Sequence, residues 1–244
     1  MMSNYKAVVF DLYGTLLDIR TDEEKDSLWR RLAYFYSAKG ADYTQDEIEQ
    51  DYKRFVKEEQ TLIMDVEYPD IDILKVFQRL FVEKEIRVDM RTVKETATLF
   101  RMLSLDYVKP YEHAIDLLEL LKKSSCKVIL LSNAQRAFTE DELKATGIIG
   151  YFDSIYISSD YLASKPEPKF FKAMLDREGL DADDCLFIGN DHRTDIKGAV
   201  IQGMDSVYMH TNCSPDLVPE EIGCNYRVDS GKIQDVIEII KANL

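Results

Sequence analysis

KAVVFDLYGTLLD, residues 6–18, sets an apolar run suited to the middle of a sheet directly before an acid. Ala7, Val8, Val9 and Phe10 are short, partly β-branched and close to the N-terminus, which suits a strand buried on both faces. Asp11 then stands at the carboxyl end of that strand, where open α/β sheets place their ligands. Tyr13, Gly14 and Thr15 follow at once.

After Asp18 the texture changes. Residues 23–39, 44–60, 71–84 and 88–103 are rich in charged and aromatic side chains at helical spacing, with almost no glycine. They read as amphipathic helices, divided by the turn signals Lys39-Gly40-Ala41-Asp42 and Glu67-Tyr68-Pro69-Asp70 and closed by Lys109-Pro110. From Tyr111 onward, strand-like runs at 127–131, 154–157, 185–188 and 205–209 alternate with helical stretches starting near Ala137, Pro168 and Asp195. That alternation marks βαβ units and a parallel sheet. A last helix is expected over 232–241. The fold expected is α/β: a doubly wound, Rossmann-like parallel sheet (residues 1–18 and 106–244) with an inserted α-helical bundle (residues 19–105). The connectors near Ile19 and Lys109-Pro110 are the expected hinges.

With 244 residues, 45% of them hydrophobic, the chain can bury a full core. A formal net charge of −14 would repel nucleic acid and anionic membrane surfaces, so a small-molecule substrate is the expected partner, for a monomer or homodimer. Cys126, Cys185, Cys213 and Cys224 form no CxxC pair, which fits reduced thiols. Residues 1–5 lead into the first strand without a basic and apolar leader, and no apolar run approaches ~18 residues. A soluble, cytoplasmic protein is expected.

Polar residues recur where the strands end: Asp11, Ser132-Asn133, Lys165, and Gly189-Asn190-Asp191-His192-Arg193-Thr194-Asp195. In a doubly wound sheet these ends face one crevice. Asp11, Asp191 and Asp195 would bring carboxylates together there, and two like charges ~4 Å apart repel by about 4 kcal/mol at an effective dielectric of about 20. Lys165 can supply one compensating charge, and a hard cation such as Mg²⁺ the rest.

In this order the motifs Asp11 to Asp18, Ser132-Asn133, Lys165-Pro166 and Gly189-Asn190-Asp191 with Asp195-Ile196-Lys197-Gly198-Ala199 resemble the four motifs of the haloacid dehalogenase-like (HAD) hydrolases. The helical insertion resembles that family's α-helical cap. The resemblance implies that Asp11 is a nucleophile forming an aspartyl intermediate, that Ser132 binds a substrate oxygen and that Lys165 neutralises charge. It implies a Mg²⁺ site at Asp11, the Tyr13 backbone carbonyl, Asp191 and Asp195. Asn133 would line the pocket, and Thr15 would brace the nucleophile loop beside the substrate.

Two departures divide the activity. Phosphate-transferring members usually carry a second acid two residues after the nucleophile; here that position is Tyr13, and a phenol with an ordinary pKa of ~10 is a poor base at neutral pH. Tyr13 instead resembles the metal-independent 2-haloacid dehalogenases. In that reading Arg30, beside Trp29, would hold the substrate carboxylate. Against it, Asp191 is an additional acid suited to a metal, and Phe171 stands where dehalogenases carry a tyrosine. His192 and Asp18 are candidate proton carriers, and His113 and His210 read as structural. The function expected is a Mg²⁺-dependent phosphohydrolase acting on a small phosphorylated metabolite. The alternatives are a 2-haloacid dehalogenase, or a HAD protein that binds a metabolite or partner without turnover.

Overall fold

The computed structural model describes residues 5–216 and 219–243. Residues 1–4 of the leader reading, together with residue 244, lie outside them. The first strand, β1 (Ala7–Phe10), is buried throughout: Val8 and Phe10 join one apolar cluster, Ala7 and Val9 another. This is the alternation of a strand covered on both faces. Next comes β2 (Leu17–Thr21), followed by the helices α1 (Asp26–Ala38), α2 (Gln45–Thr61), α3 (Ile73–Glu83) and α4 (Met90–Ser104).

Side-chain caps set three of these helix starts. Thr44 and Glu47 form a capping box before α2, Asp72 accepts from the Leu74 N–H before α3, and Asp89 accepts from Thr92 before α4. The four helices enclose their own aromatic core, in which Trp29, Tyr36, Phe55, Phe77 and Phe100 are buried. The chain leaves them through β3 (Leu105–Pro110), which pairs antiparallel with β2, Ile19 opposite Val108 and Asp18 opposite Lys109. The two expected connectors thus form one ribbon, which neither stretch's composition suggests.

The chain then builds α5 (Ala114–Lys122), β4 (Lys127–Ser132), α6 (Arg136–Ala145), β5 (Ser154–Ile157), the single turn α7 (Ser158–Tyr161) and α8 (Pro168–Glu178). After β6 (Cys185–Gly189) a π-helical turn, His192–Ile196, leads into α9 (Lys197–Gln202); β7 (Asp205–Met209), β8 (Tyr226–Val228) and α10 (Ile233–Asn243) complete the fold. All six strands of the main sheet are parallel, in the order β5-β4-β1-β6-β7-β8. Because the order runs outward both ways from β1, the crevice at its carboxyl end is the topological switch point.

A second contact ties the helical insertion to the sheet module. The loop before α3 meets the segment after α7: Ser164 donates its N–H to the Tyr68 carbonyl (2.9 Å), and Glu167 accepts the N–H of Glu67 (2.9 Å). Asp70 accepts from Ser158 Oγ and from Gln135 Nε2, the latter at 2.9 Å.

Candidate active site

Phe10 pairs with Leu130 of β4 and Ile188 of β6, so the residues that follow these three enter the crevice side by side. Asp11 donates its N–H to the Ile188 carbonyl (2.9 Å), which continues the ladder and fixes the carboxylate. Lys165 Nζ lies 2.7 Å from Asp11 Oδ1 and 2.7 Å from Asp195 Oδ1. Its side chain is only 1% exposed, so no water competes with these pairings. Burial alone would lower the Lys165 pKa, but the charges of Asp11 and Asp195 hold it above the ordinary lysine value. Burial pushes the Asp195 carboxyl upward, against the opposing pull of Lys165.

Asp195 reaches this position through the π-helical turn. Its Oδ2 accepts the N–H groups of Asn190 and Asp191, both at 3.0 Å. A Cβ on Gly189 would stand 2.5 Å from Asp195 Cβ, so only glycine lets the acid close over the end of β6. Gly14 has φ +87°, and its missing Cβ is replaced by the Asn190 amide, which would lie 2.3 Å from it. The Thr15 hydroxyl is 3.2 Å from both Asp11 Oδ2 and Asn190 Oδ1, and its single proton serves one of them at a time.

Ser132 ends β4 fully buried, and its Oγ has no hydrogen-bond partner among the described residues. Asn133 is fixed by two bonds to Lys165: it accepts the Lys165 N–H at Oδ1 (2.7 Å) and donates Nδ2 to the Lys165 carbonyl (3.1 Å). The strand-end residues Asp11, Thr15, Ser132, Asn133, Lys165 and Asp195 are therefore brought to one crevice.

Other expected residues stand elsewhere or point elsewhere. Arg30 is on the exposed side of α1, while its neighbour Trp29 is buried in the helical core, so the structure does not carry Arg30 to the crevice. Tyr13 turns its ring toward α6, where the phenol bonds Glu142 and lies 3.1 Å from Thr139 Oγ1. Burial and then the Glu142 charge raise its pKa well above the usual tyrosine value. Asp18 accepts from Tyr107 and Asn212 at the β2–β3 ribbon. His192 keeps a buried Nδ1 without a partner among the described residues, and His113 and His210 sit beside Asp116 and Tyr208. Phe171 is buried between Gly198 and Phe187 and offers the crevice no hydroxyl.

A cavity of about 310 Å³ opens over Tyr13 and Asn133 and is walled by Glu23, Arg101 and Phe138. Arg101, from the last turn of α4, is bound to Glu142 of α6 (Nε to Oε1 2.5 Å, Nη2 to Oε2 3.3 Å). Glu23, Arg101 and Glu142 carry no motif; charged residues on turns and helices ordinarily read as solvated. A larger cleft of about 600 Å³ lies on another face of α6 and contains none of the strand-end residues.

The donors suit a hard cation in kind. The Tyr13 carbonyl accepts no hydrogen bond from the described residues, and Asp11 Oδ2 has only the shared Thr15 proton. Asp191 is the third candidate, but its two oxygens face Arg193 at 2.8–3.0 Å. Burial acts to raise the Asp191 pKa, and Arg193 outweighs it, leaving the carboxyl below its ordinary value. Asp195 is committed to Lys165 and two backbone donors. As arranged, no three His, Cys, Asp or Glu side chains converge as a cation cage among the described residues. The fit therefore rests on Asp11 and the Tyr13 carbonyl, with Asp191 reachable once it leaves the exposed Arg193.

A family model for haloacid dehalogenase-like hydrolases matches residues 5–201. The chain belongs to that family. The glyceraldehyde 3-phosphate phosphatase of Methanocaldococcus jannaschii is 26% identical over 155 residues, 64% of this chain and 67% of that protein. The (S)-2-haloacid dehalogenase 4A of Burkholderia cepacia is 24% identical over 216 residues, covering 88% of this chain and 87% of that one. Against mammalian N-acylneuraminate-9-phosphatases the match spans about half of the relative's length or less. Among solved structures, a HAD phosphatase from Thermococcus onnurineus superposes with a TM-score of 0.61 at 21% identity, covering 97% of this chain and 98% of that one. An L-2-haloacid dehalogenase does so equally well, with a TM-score of 0.61 at 17% identity and coverage of 98% and 99%. These HAD likenesses establish the fold and a hydrolase, with phosphatases prominent among the relatives; they leave the substrate open.

Proposed function

We propose that this HAD hydrolase is a Mg²⁺-dependent cytoplasmic phosphohydrolase acting on a small phosphorylated metabolite, with the helical insertion (residues 19–105) as its cap. One observation carries the choice over dehalogenation. Among the described residues Arg101 is the only cationic one lining the cavity beside Tyr13 and Asn133, and Glu142 already neutralises it. A 2-haloacid needs a free cation for its carboxylate; Arg30 is exposed on α1 and supplies none.

In this reading the Asp11 carboxylate attacks phosphorus as the bond to the leaving oxygen breaks, giving an aspartyl phosphate. Lys165 holds Oδ1 of the nucleophile and offsets charge on the transferred group, and the free Ser132 hydroxyl donates to a phosphoryl oxygen. Water then attacks phosphorus, releasing phosphate and restoring the Asp11 carboxylate. Asp11, the Tyr13 carbonyl and Asp191 would hold Mg²⁺, which neutralises phosphoryl charge when bound.

The dehalogenase reading keeps one argument, the tyrosine two residues after the nucleophile. A single comparison separates the two: phosphate release from a panel of phosphate esters with and without Mg²⁺, and halide release from 2-haloacids, for the wild type and Asp11→Asn. Phosphate release that needs Mg²⁺ and disappears in the variant is the expected result. Halide release indifferent to a chelator would overturn it.

A further inference from the structure

We infer that Glu23 is a specificity-determining residue that accepts a hydrogen bond from a hydroxyl or ammonium group on the leaving portion of the substrate, an inference resting on the phosphohydrolase reading. Glu23 lies in the turn between β2 and α1 and faces the cavity that adjoins Tyr13 and Asn133. Its backbone is fixed, because its carbonyl accepts Trp29 Nε1 at 2.8 Å and Trp29 is 1% exposed in the helical core. Its carboxylate is not: among the described residues it has neither a hydrogen bond nor an ion pair.

A partly buried carboxylate without a donor is costly, and a ligand that brings one gains what the protein leaves unsatisfied. Arg101 is the near cation, and Glu142 holds it through two of its nitrogens. The cavity wall with its Glu142 support therefore carries one carboxylate in excess. Burial raises the Glu23 carboxyl, with Arg101 opposing and Glu24 reinforcing the rise. Phe138 and Ile19 supply apolar wall for a short carbon chain. A leaving portion ending in its own carboxylate would meet Glu23 with like charge.

Three two-carbon esters of matched size test this: 2-aminoethyl phosphate, 2-hydroxyethyl phosphate and carboxymethyl phosphate. Their Kd values are measured by calorimetry with Mg²⁺ on the turnover-blocked Asp11→Asn protein, alone and combined with Glu23→Gln or Glu24→Gln. The expected result is binding of the first two at least tenfold tighter than carboxymethyl phosphate. Glu23→Gln should remove at least tenfold of the aminoethyl preference, and Glu24→Gln should leave it unchanged. Retention of the hydroxyethyl preference in Glu23→Gln would identify a hydroxyl as the recognised group, since the amide oxygen still accepts; its loss along with the aminoethyl preference would identify an ammonium. An aminoethyl preference equal in the Glu23→Gln and parent proteins, carboxymethyl phosphate bound as tightly as the others, or no binding of any of the three overturns the inference. Phosphate release from an aryl phosphate by wild-type protein is read in parallel: its absence with the binding preference intact sinks the phosphohydrolase reading and leaves the role of Glu23 standing.

Discussion

The Tyr13 phenol donates to the Glu142 carboxylate on α6, so the side chain two residues after Asp11 faces the joint between sheet module and helical insertion. Arg101 of α4 meets the same carboxylate from the other side. A side chain so held, with its pKa raised by burial and by Glu142, is a poor proton carrier for a leaving group. Since a general acid or base contributes about 10²–10⁴-fold, Tyr13→Phe is expected to lower kcat by less than about tenfold. For the same reason aryl and acyl phosphates should turn over at least about 100-fold faster than alkyl phosphates, whose leaving oxygen needs a proton. A steady-state comparison of such esters checks both, and a kcat loss of about 10³-fold in Tyr13→Phe would make the phenol catalytic.

Ser132 separates function from stability. Its buried Oγ has no partner among the described residues, so Ser132→Ala removes an unpaired polar atom and should change unfolding free energy by no more than about 1 kcal/mol, in either direction. In the proposed phosphohydrolase reaction this hydroxyl would donate to developing phosphoryl charge, where it is worth more, and kcat/KM should fall by about 10²–10³-fold. Urea unfolding and phosphate release measure the two. A large stability loss with unchanged activity would reverse the assignment.

The sequence made the sheet and its strand-end residues legible for a physical reason. Strands buried on both faces are short apolar runs, and Asp11, Ser132, Lys165 and Asp195 lie in or just beyond the segments that end them. The capped amphipathic helices were as plain. What escaped depends on contacts between distant segments. The β2–β3 ribbon pairs Leu-Asp-Ile-Arg-Thr with Leu-Asp-Tyr-Val-Lys-Pro, neither of which alternates cleanly. Glu142 and Arg101 are 41 positions apart on two helices and acquire meaning only where these meet. Arg30 was favoured by its neighbour Trp29, but adjacent helical residues point about 100° apart, and burying the indole turns the guanidinium outward.

Lys165 bridges two buried acids and offsets their mutual repulsion. Removing one partner of a buried ion pair costs about 3–5 kcal/mol, and Lys165→Met should cost at least that while abolishing turnover. Adding Asp195→Asn removes one of the two stranded charges. The double variant is expected to regain roughly half of the lost stability and no activity. Urea midpoints of the single and double variants decide it; strictly additive losses would mean that Lys165 acts by packing rather than by charge.

Asp191 and Arg193 give the metal reading its own test. Asp191 is held by an arginine whose side chain is 64% exposed, so the pair can exchange for a cation at modest cost. Chelation should stop phosphate release and Mg²⁺ restore it. Because groups that orient or compete for a metal ligand shift affinity about 10–100-fold, Asp191→Asn should raise the Mg²⁺ needed for half-maximal rate at least about tenfold, and Arg193→Ala should lower it. Titration of rate against Mg²⁺ for the three proteins reads both directions; an unchanged requirement in Asp191→Asn would remove that residue from the site.

Asp70 couples the helical insertion to the sheet module in a pH-dependent way. Its carboxylate accepts from Ser158, Gln135 and the Ile71 N–H, and burial outweighs these bonds in raising its pKa. A carboxyl whose folded pKa lies above its unfolded value binds protons more tightly when folded. Its contribution to stability is therefore fully present below the unfolded pKa of about 3.9 and is lost as pH rises through the folded value. The wild type should thus lose stability relative to Asp70→Asn as pH rises above about 4, whereas paired carboxylates such as Glu58 and Asp153, whose pKa values are lowered, contribute in the other direction. Urea unfolding of both proteins across that range isolates the Asp70 contribution as the difference between them. A difference that grows in favour of the wild type with rising pH would show that the hydrogen bonds, and not burial, govern this carboxyl.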